Sequence, residues 1–269
     1  MFDDQVTSLL TFLTGLGSGA YVGIASGTAE PFIIPLMTIL IGSSIYQAIG
    51  TNLFVDGLIG LSAGMIFLLR GHVKLRPVLI LILTGIIFAF IGSFFSTGTK
   101  ESDLKVLIAV VLILFGFMLV RGGVKKNIDM VERRVNLELF RGHKTITFLL
   151  FGSIIGFASG FVGMGSSGSM TILLIFVMGY DLHTSIGTSL LMMSCIAFSG
   201  SFAHGVFLDH IVIGSALLAG CGAIIGGMIG AVFANRINED ILGRVIGCII
   251  MALGTAVLIE LLMGVYPLI

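Results

Sequence analysis

Residues 26–35 read SGTAEPFIIP, and they break an otherwise continuous apolar run. The stretch before the break, 5–26, is long enough to cross a bilayer, whereas 31–42 after it falls short of the roughly 20 residues a spanning helix needs. Pro31 suits the first turn of a helix, where its missing N–H is no loss. Glu30, just ahead of it, sits at the positive end of that helix, where a carboxylate is electrostatically favoured. Non-helical backbone at membrane depth persists only where it is buried in protein or lines a cavity. The stretch therefore predicts an interrupted helix whose break faces the interior.

Composition identifies the solvent. The chain has 269 residues, 57% hydrophobic and 10% charged, with a mean hydropathy of +1.15. Soluble domains carry about 25% charged residues, so this chain has too little polar surface for water and is read as an integral membrane protein. Fourteen basic and fourteen acidic residues give zero formal charge, which argues against a nucleic-acid partner. Cys195, Cys221 and Cys248 show no metal-ligand spacing and read as small packing residues. No metal or other cofactor is expected. Asp3 and Asp4 stand where a cleavable leader would carry basic residues.

The same interruption occurs twice. Apolar stretches lie at 5–26, 31–42, 46–69, 77–96, 103–121, 146–164, 169–179, 182–204, 210–234 and 240–264, and the two short ones are each second in a group of five. At a shift of 137, Gly15, Gly19 and Gly23 fall on Gly152, Gly156 and Gly160, and Gly42 falls on Gly179. Gly50-Thr51-Asn52-Leu53 falls on Gly187-Thr188-Ser189-Leu190, and at a shift of 138 Ile91-Gly92 matches Ile229-Gly230 and Gly116 matches Gly254. These matches predict an internal duplication.

Basic residues favour the cytoplasm. Arg121, Lys125, Lys126, Arg133, Arg134, Arg141 and Lys144 place the central segment inside; counting spans outward then puts twelve of fourteen basic residues on one side and both termini outside. On this count the 70–76 loop and its counterpart 204–210 lie on opposite sides. The expected fold is all-α: two inverted-topology repeats, each a helical hairpin with a short broken helix plus three transmembrane helices. The expected divisions are 1–121, a basic cytoplasmic linker 122–144, and 145–269. Such repeats characterise secondary transporters, with substrate held where the breaks meet.

The motifs resemble those of the TauE/SafE sulfite-exporter family, also called the toluene-sulfonate uptake permease family. The second copy reads Gly163-Met164-Gly165-Ser166-Ser167, then Gly187-Thr188-Ser189-Leu190. The first reads Ser26-Gly27-Thr28-Ala29-Glu30, Ile34-Pro35-Leu36, then Gly50-Thr51-Asn52-Leu53-Phe54. The likeness covers nearly the whole chain. It departs from the family pattern where Glu30 replaces part of a glycine run and where Ile172 stands for the usual proline. It implies transport of a sulfur-containing anion such as sulfite, sulfoacetate or another organosulfonate across the plasma membrane, with export favoured.

The residues themselves point to an anion site without cationic side chains. Helix N-termini leave backbone N–H groups unpaired, and small residues let an anion approach them. The expected substrate-binding residues are Thr28, Ala29, Glu30, Thr51, Asn52, Gly165, Ser166, Ser167, Ser169, Thr188 and Ser189. Glu30 either caps its own helix or couples transport to protons, with Asp56, one turn beyond Asn52, sharing the proton; Met193 stands opposite Asp56 in the second half. Thr51 and Thr188 have the alternative of bonding back to their own helices. The expected partners are the lipid bilayer and the small anion, with a homodimer left open. Two other readings stand: a passive anion channel, and a rhomboid-like protease with Ser167 as nucleophile and His204 or His210 as base. His183 and His204 fall near span ends and read as interfacial.

Overall fold

The computed structural model describes residues 4–110, 112–114, 117, 120, 121, 140, 142–165, 167–234, 248, 251, 252, 254, 255, 258 and 259. Most of the linker expected at 122–144 and Ser166 lie outside the described residues, as do the stretches between the positions given for 103–121 and 240–264.

Among the described residues all regular structure is helical. Helix α1 (Asp4–Ala25) ends at the first break, and α2 (Glu30–Pro35) continues into a wider π turn at Leu36–Leu40. Then come α3 (Ile45–Leu69), α4 (Leu79–Thr97) and α5 (101–110). The second half gives α6 (Lys144–Val162), then α7 (Ser167–Leu173) running into a π turn at Leu174–Met178. Helix α8 (Leu182–Phe202) runs through a π turn at Ala203–Phe207, and α9 (Ile213–Phe233) follows. Six of these segments are long and apolar enough to cross a membrane; Glu30–Leu40 is not. The chain is a multi-pass membrane protein.

Corresponding elements form for corresponding reasons. Gly42 and Gly179 both have positive φ, 74° and 66°, and turn the chain out of the π segments. Two residues on, Ser44 caps α3: its hydroxyl accepts from Gln47 N at 3.3 Å while Gln47 Oε1 accepts from Ser44 N at 3.2 Å. At the matching place, Asp181 caps α8 by accepting from Thr184 N at 3.0 Å. The π turn recurs with Ile172 where Pro35 stands in the first half, so the proline is not its cause.

The Asp181 cap sets a measurable stability. The Thr184 amide, then the Thr184 hydroxyl, hold this carboxyl below its usual range. Its stabilisation is complete above that range and lost as pH falls through the depressed value. Asp181→Ala should cost about 1 kcal/mol, whereas Asp181→Ser should stay close to the parent. Thermal unfolding in detergent near neutral pH measures both.

The halves are interleaved. Helix α1 lies along α9, and α4 lies along α6, so each close pair takes one helix from each half. Gly15 and Gly19 meet the backbone of Ala219 and Ala223, and Gly23 meets that of Gly227. Gly152, Gly156 and Gly160 meet Leu81, Gly85 and Ala89, which are the counterparts of those three at a shift of 138. Helices α3 and α8 pack on each other with opposite direction: Gly50 lies at His204, Leu53 at Gly200, Gly60 at Ser194 and Phe67 at Gly187. Val212 N donates to Thr51 Oγ1 at 3.2 Å, and Lys74 N to Thr188 Oγ1 at 3.0 Å, again with exchanged roles.

Two side-chain placements differ from expectation. His204, expected near a span end, is fully buried within the protein in the π turn at Ala203–Phe207, with Nε2 at 3.2 Å from Gly160 O. The three cysteines are exposed and not packed inside; the close approaches are made by glycine and alanine.

Candidate functional site

The two breaks cross each other inside the molecule. Gly165 N donates to Thr28 Oγ1 at 3.1 Å, and these residues are counterparts at a shift of 137. The Ser167 hydroxyl donates to Gly27 O. The interrupted segments thus meet at equivalent points, and α3 and α8 frame the crossing.

Asp56 occupies the centre. It projects from α3, where Gly57 and Gly60 let α8 approach, and it is fully buried. Its Oδ1 accepts from Ala29 N at 2.7 Å; its Oδ2 accepts from Thr28 Oγ1 at 2.8 Å and from Asn52 Nδ2 at 3.1 Å. Three donors converging on one side chain are the complement of an ionised carboxylate, which can only accept. No lysine or arginine among the described residues pairs with it. Asn52 Nδ2 also donates to Gly163 O at 2.7 Å, which leaves Asn52 Oδ1 buried without a partner among the described residues. Gly165 must be glycine: a Cβ there would enter the Asp56 carboxylate.

Glu30 begins α2 and is 1% exposed. Its amide reaches Thr28 Oγ1 at 3.3 Å, while its Oε1 has no hydrogen-bond partner among the described residues. A carboxyl oxygen in that position suits the protonated, neutral acid better than the anion.

A second polar cluster lies beside the first. The hydroxyls of Ser26, Thr171 and Ser189 form a triangle with edges of 2.7, 3.1 and 2.6 Å, all three residues being buried. Ser26 sits at the break with φ 52°, a left-handed conformation rare for a residue with a Cβ. Its counterpart Gly163 has φ 87°.

Thr28, Ala29, Asn52, Asp56, Gly165 and Ser189 are therefore gathered at the crossing, with Glu30 and Ser167 at its edge. Thr51 and Thr188 instead bond the loops before α9 and α4. Ser169 is exposed, and Ser166 lies outside the described residues. The hydroxyl of Ser167 and Nε2 of His204 have different backbone partners, Gly27 O and Gly160 O. Sequence reasoning missed Ser26 and Thr171. A signal for Ser26 existed: it aligns with a glycine, and a serine in a glycine position is unusual. Thr171 aligns with Ile34 and had no such signal.

Six helices of spanning length, with two broken helices crossing at a buried polar centre, define a polytopic membrane protein of the transporter class. The chain belongs to the sulfite exporter TauE/SafE family, whose model matches residues 3–119 and 44–257. It is 24% identical over 271 residues to a "Probable membrane transporter protein" of Xylella fastidiosa strain Temecula1, covering 93% of this chain and 96% of that one. It is 26% identical over 239 residues to "Probable membrane transporter protein YdhB" of Bacillus subtilis, covering 87% and 91%. A third relative, "Probable membrane transporter protein ORF9" of Sinorhizobium sp, is 25% identical over 260 residues, covering 96% and 95%. No solved structure matches the chain.

Proposed function

We propose that the protein is a secondary transporter of small sulfur-containing oxyanions (sulfite, sulfoacetate or another organosulfonate) across the plasma membrane. The anion is held where the broken helices cross, and its binding is linked to protonation of Asp56. The observation that carries this reading is the occupation of Ala29 N and Thr28 Oγ1 by the Asp56 carboxylate. These are donors an oxyanion would use. Two unit charges about 4 Å apart repel by about 4 kcal/mol at an effective dielectric of 20, so an ionised Asp56 and a bound anion exclude one another. Protonating Asp56 removes the repulsion and frees donors. Glu30, at the edge of the same centre, is the group through which the proton enters.

Opposite insertion of the two halves is supported by the antiparallel run of α3 and α8 and by the exchange of contacts between repeats. The proposed units are 1–121 and 145–269, joined by the basic segment 122–144 on the cytoplasmic side, with both termini outside. Moving one charge through 100 mV is worth about 2.3 kcal/mol. An anion travelling alone is therefore driven out of a negative cell, whereas one carried with its proton is electroneutral. Export is the direction the family resemblance favours and the potential drives for the anion alone, whereas co-transport with the Asp56 proton follows an inward proton gradient into the cell.

Flux of an organosulfonate into liposomes at pH 6 and pH 8 tests the reading, because a sulfonate keeps one charge across this range and pH acts on the protein alone. The expected result is saturable uptake with counterflow, several-fold faster at the acidic pH, with the pH effect blunted in Glu30→Gln. Failure of every sulfur anion to move would sink the transport reading. Flux with no pH response would sink the coupling, and flux without saturation or counterflow would favour a channel.

A further inference from the structure

Asp56 has no acidic counterpart. Met193 occupies the matching position on α8, and its sulfur and the Asp56 carboxylate both face Gly165. Around it, the polar groups of the second half differ from those of the first. Asn52 bonds Gly163, and at the matching place Ser189 bonds Ser26, but here Thr171 adds a third hydroxyl where the first half has Ile34. The first half thus carries its own anion, and the second carries uncharged donors only.

We infer that the Ser26–Thr171–Ser189 triangle is the substrate's oxyanion subsite and selects a group bearing three oxygens on one central atom. The inference rests on the transport reading above and deepens it. Three donors in a triangle can each meet one oxygen of a sulfite or sulfonate, whereas a carboxylate offers only two. The hydroxyl hydrogens rotate freely, so bonds now made within the triangle can be exchanged for bonds to an anion. Ser189 also has Ile186 O at 2.9 Å as an alternative acceptor, so that ring opens and closes without leaving a hydrogen unpaired. Ser26 supplies an independent pointer. Its left-handed backbone is a strained choice for serine where the other half uses glycine, and among the described residues its hydroxyl bonds only to the other two members. Strain kept in place for a side chain whose bonds all lie in one cluster marks that cluster as functional. The crossing then has two anion positions of different kind. The Ala29 and Thr28 donors are held by Asp56 until a proton releases them; the hydroxyl triangle is open to the passenger throughout and does not titrate.

Binding of methanesulfonate, sulfite and acetate to the purified full-length protein in detergent at pH 6, followed by calorimetry, tests the assignment. Ser26→Gly is the decisive variant, because glycine is the native choice at the equivalent Gly163 and the fold should unfold at or above the parent temperature. We expect Ser26→Gly and Ser189→Ala each to lose at least tenfold in methanesulfonate affinity, with a smaller loss for acetate. Undiminished methanesulfonate affinity in both variants would show the triangle to be interhelical glue and overturn the inference alone. An equal loss for acetate would overturn the three-oxygen selectivity. A parent protein that binds none of the sulfur anions would remove the transport reading and the inference with it.

Discussion

Asp56→Asn should bind an organosulfonate at pH 8 as tightly as the parent does under acid conditions, with the pH dependence of flux gone. Asparagine keeps the shape of the side chain, and its oxygen can still accept from Ala29 N, which is 2.7 Å from Asp56 Oδ1. Its amide replaces the oxygen that takes bonds from Thr28 and Asn52. The Thr28 hydroxyl, which already accepts from Gly165 N and Glu30 N, loses its acceptor there, as it does when the acid is protonated on that oxygen. The variant therefore imitates the protonated aspartic acid. Removing a repulsion of about 4 kcal/mol at an effective dielectric of 20 has an upper bound near a thousandfold in affinity, and a gain of tenfold or more at pH 8 is expected. Transport coupled to a pH gradient should fall away while exchange of anion for anion persists. If Asp56→Asn retained the pH response of the parent, the switch would belong to another group.

The second large effect concerns assembly. Gly19→Val in α1 and Gly156→Val in α6 should each prevent the protein from reaching its native fold, since a Cβ at either place enters the backbone of the facing helix. Overpacked sites ordinarily cost about 1–3 kcal/mol. Here the obstacle is main chain, which can yield only by separating α1 from α9 or α6 from α4, so the loss should exceed that range. Gly17 is two residues from Gly19 in the same helix and has nothing within 4 Å. Gly17→Ala should be harmless, and stabilising by up to about 1 kcal/mol through helix propensity. Size-exclusion profiles and melting temperatures of the three variants make the comparison. Equal behaviour of Gly17→Ala and Gly19→Val would mean that the glycine stripe does not set the packing.

Much of this site was readable along the chain, and the unread part has a common physical character. The break at 26–35 was legible because glycine, a carboxylate and a proline end a helix wherever they occur together. The two glycine stripes were legible because Gly15, Gly19 and Gly23 recur at a constant offset as Gly152, Gly156 and Gly160. Glu30 drew attention as the acid at the break, yet Asp56 is the acid that takes the donors there. Its distance from Ala29 along the chain hid that contact. His204 looked exposed to the interface by its position near a span end, and its burial against Gly160, 44 positions away, had no local signal.

The sequence alone determined lipid as the solvent, helix as the secondary structure and the places of the two interruptions, because hydropathy, periodicity and local breakers act within one or two turns. Only the tertiary structure decided that α1 pairs with α9 and α4 with α6, that Asp56 reaches the broken backbone, and that Ser26, Thr171 and Ser189 close into one triangle. The triangle alone joins residues up to 163 positions apart. All these contacts depend on which glycine faces lie together, a property of two surfaces in register that no single stretch of chain encodes.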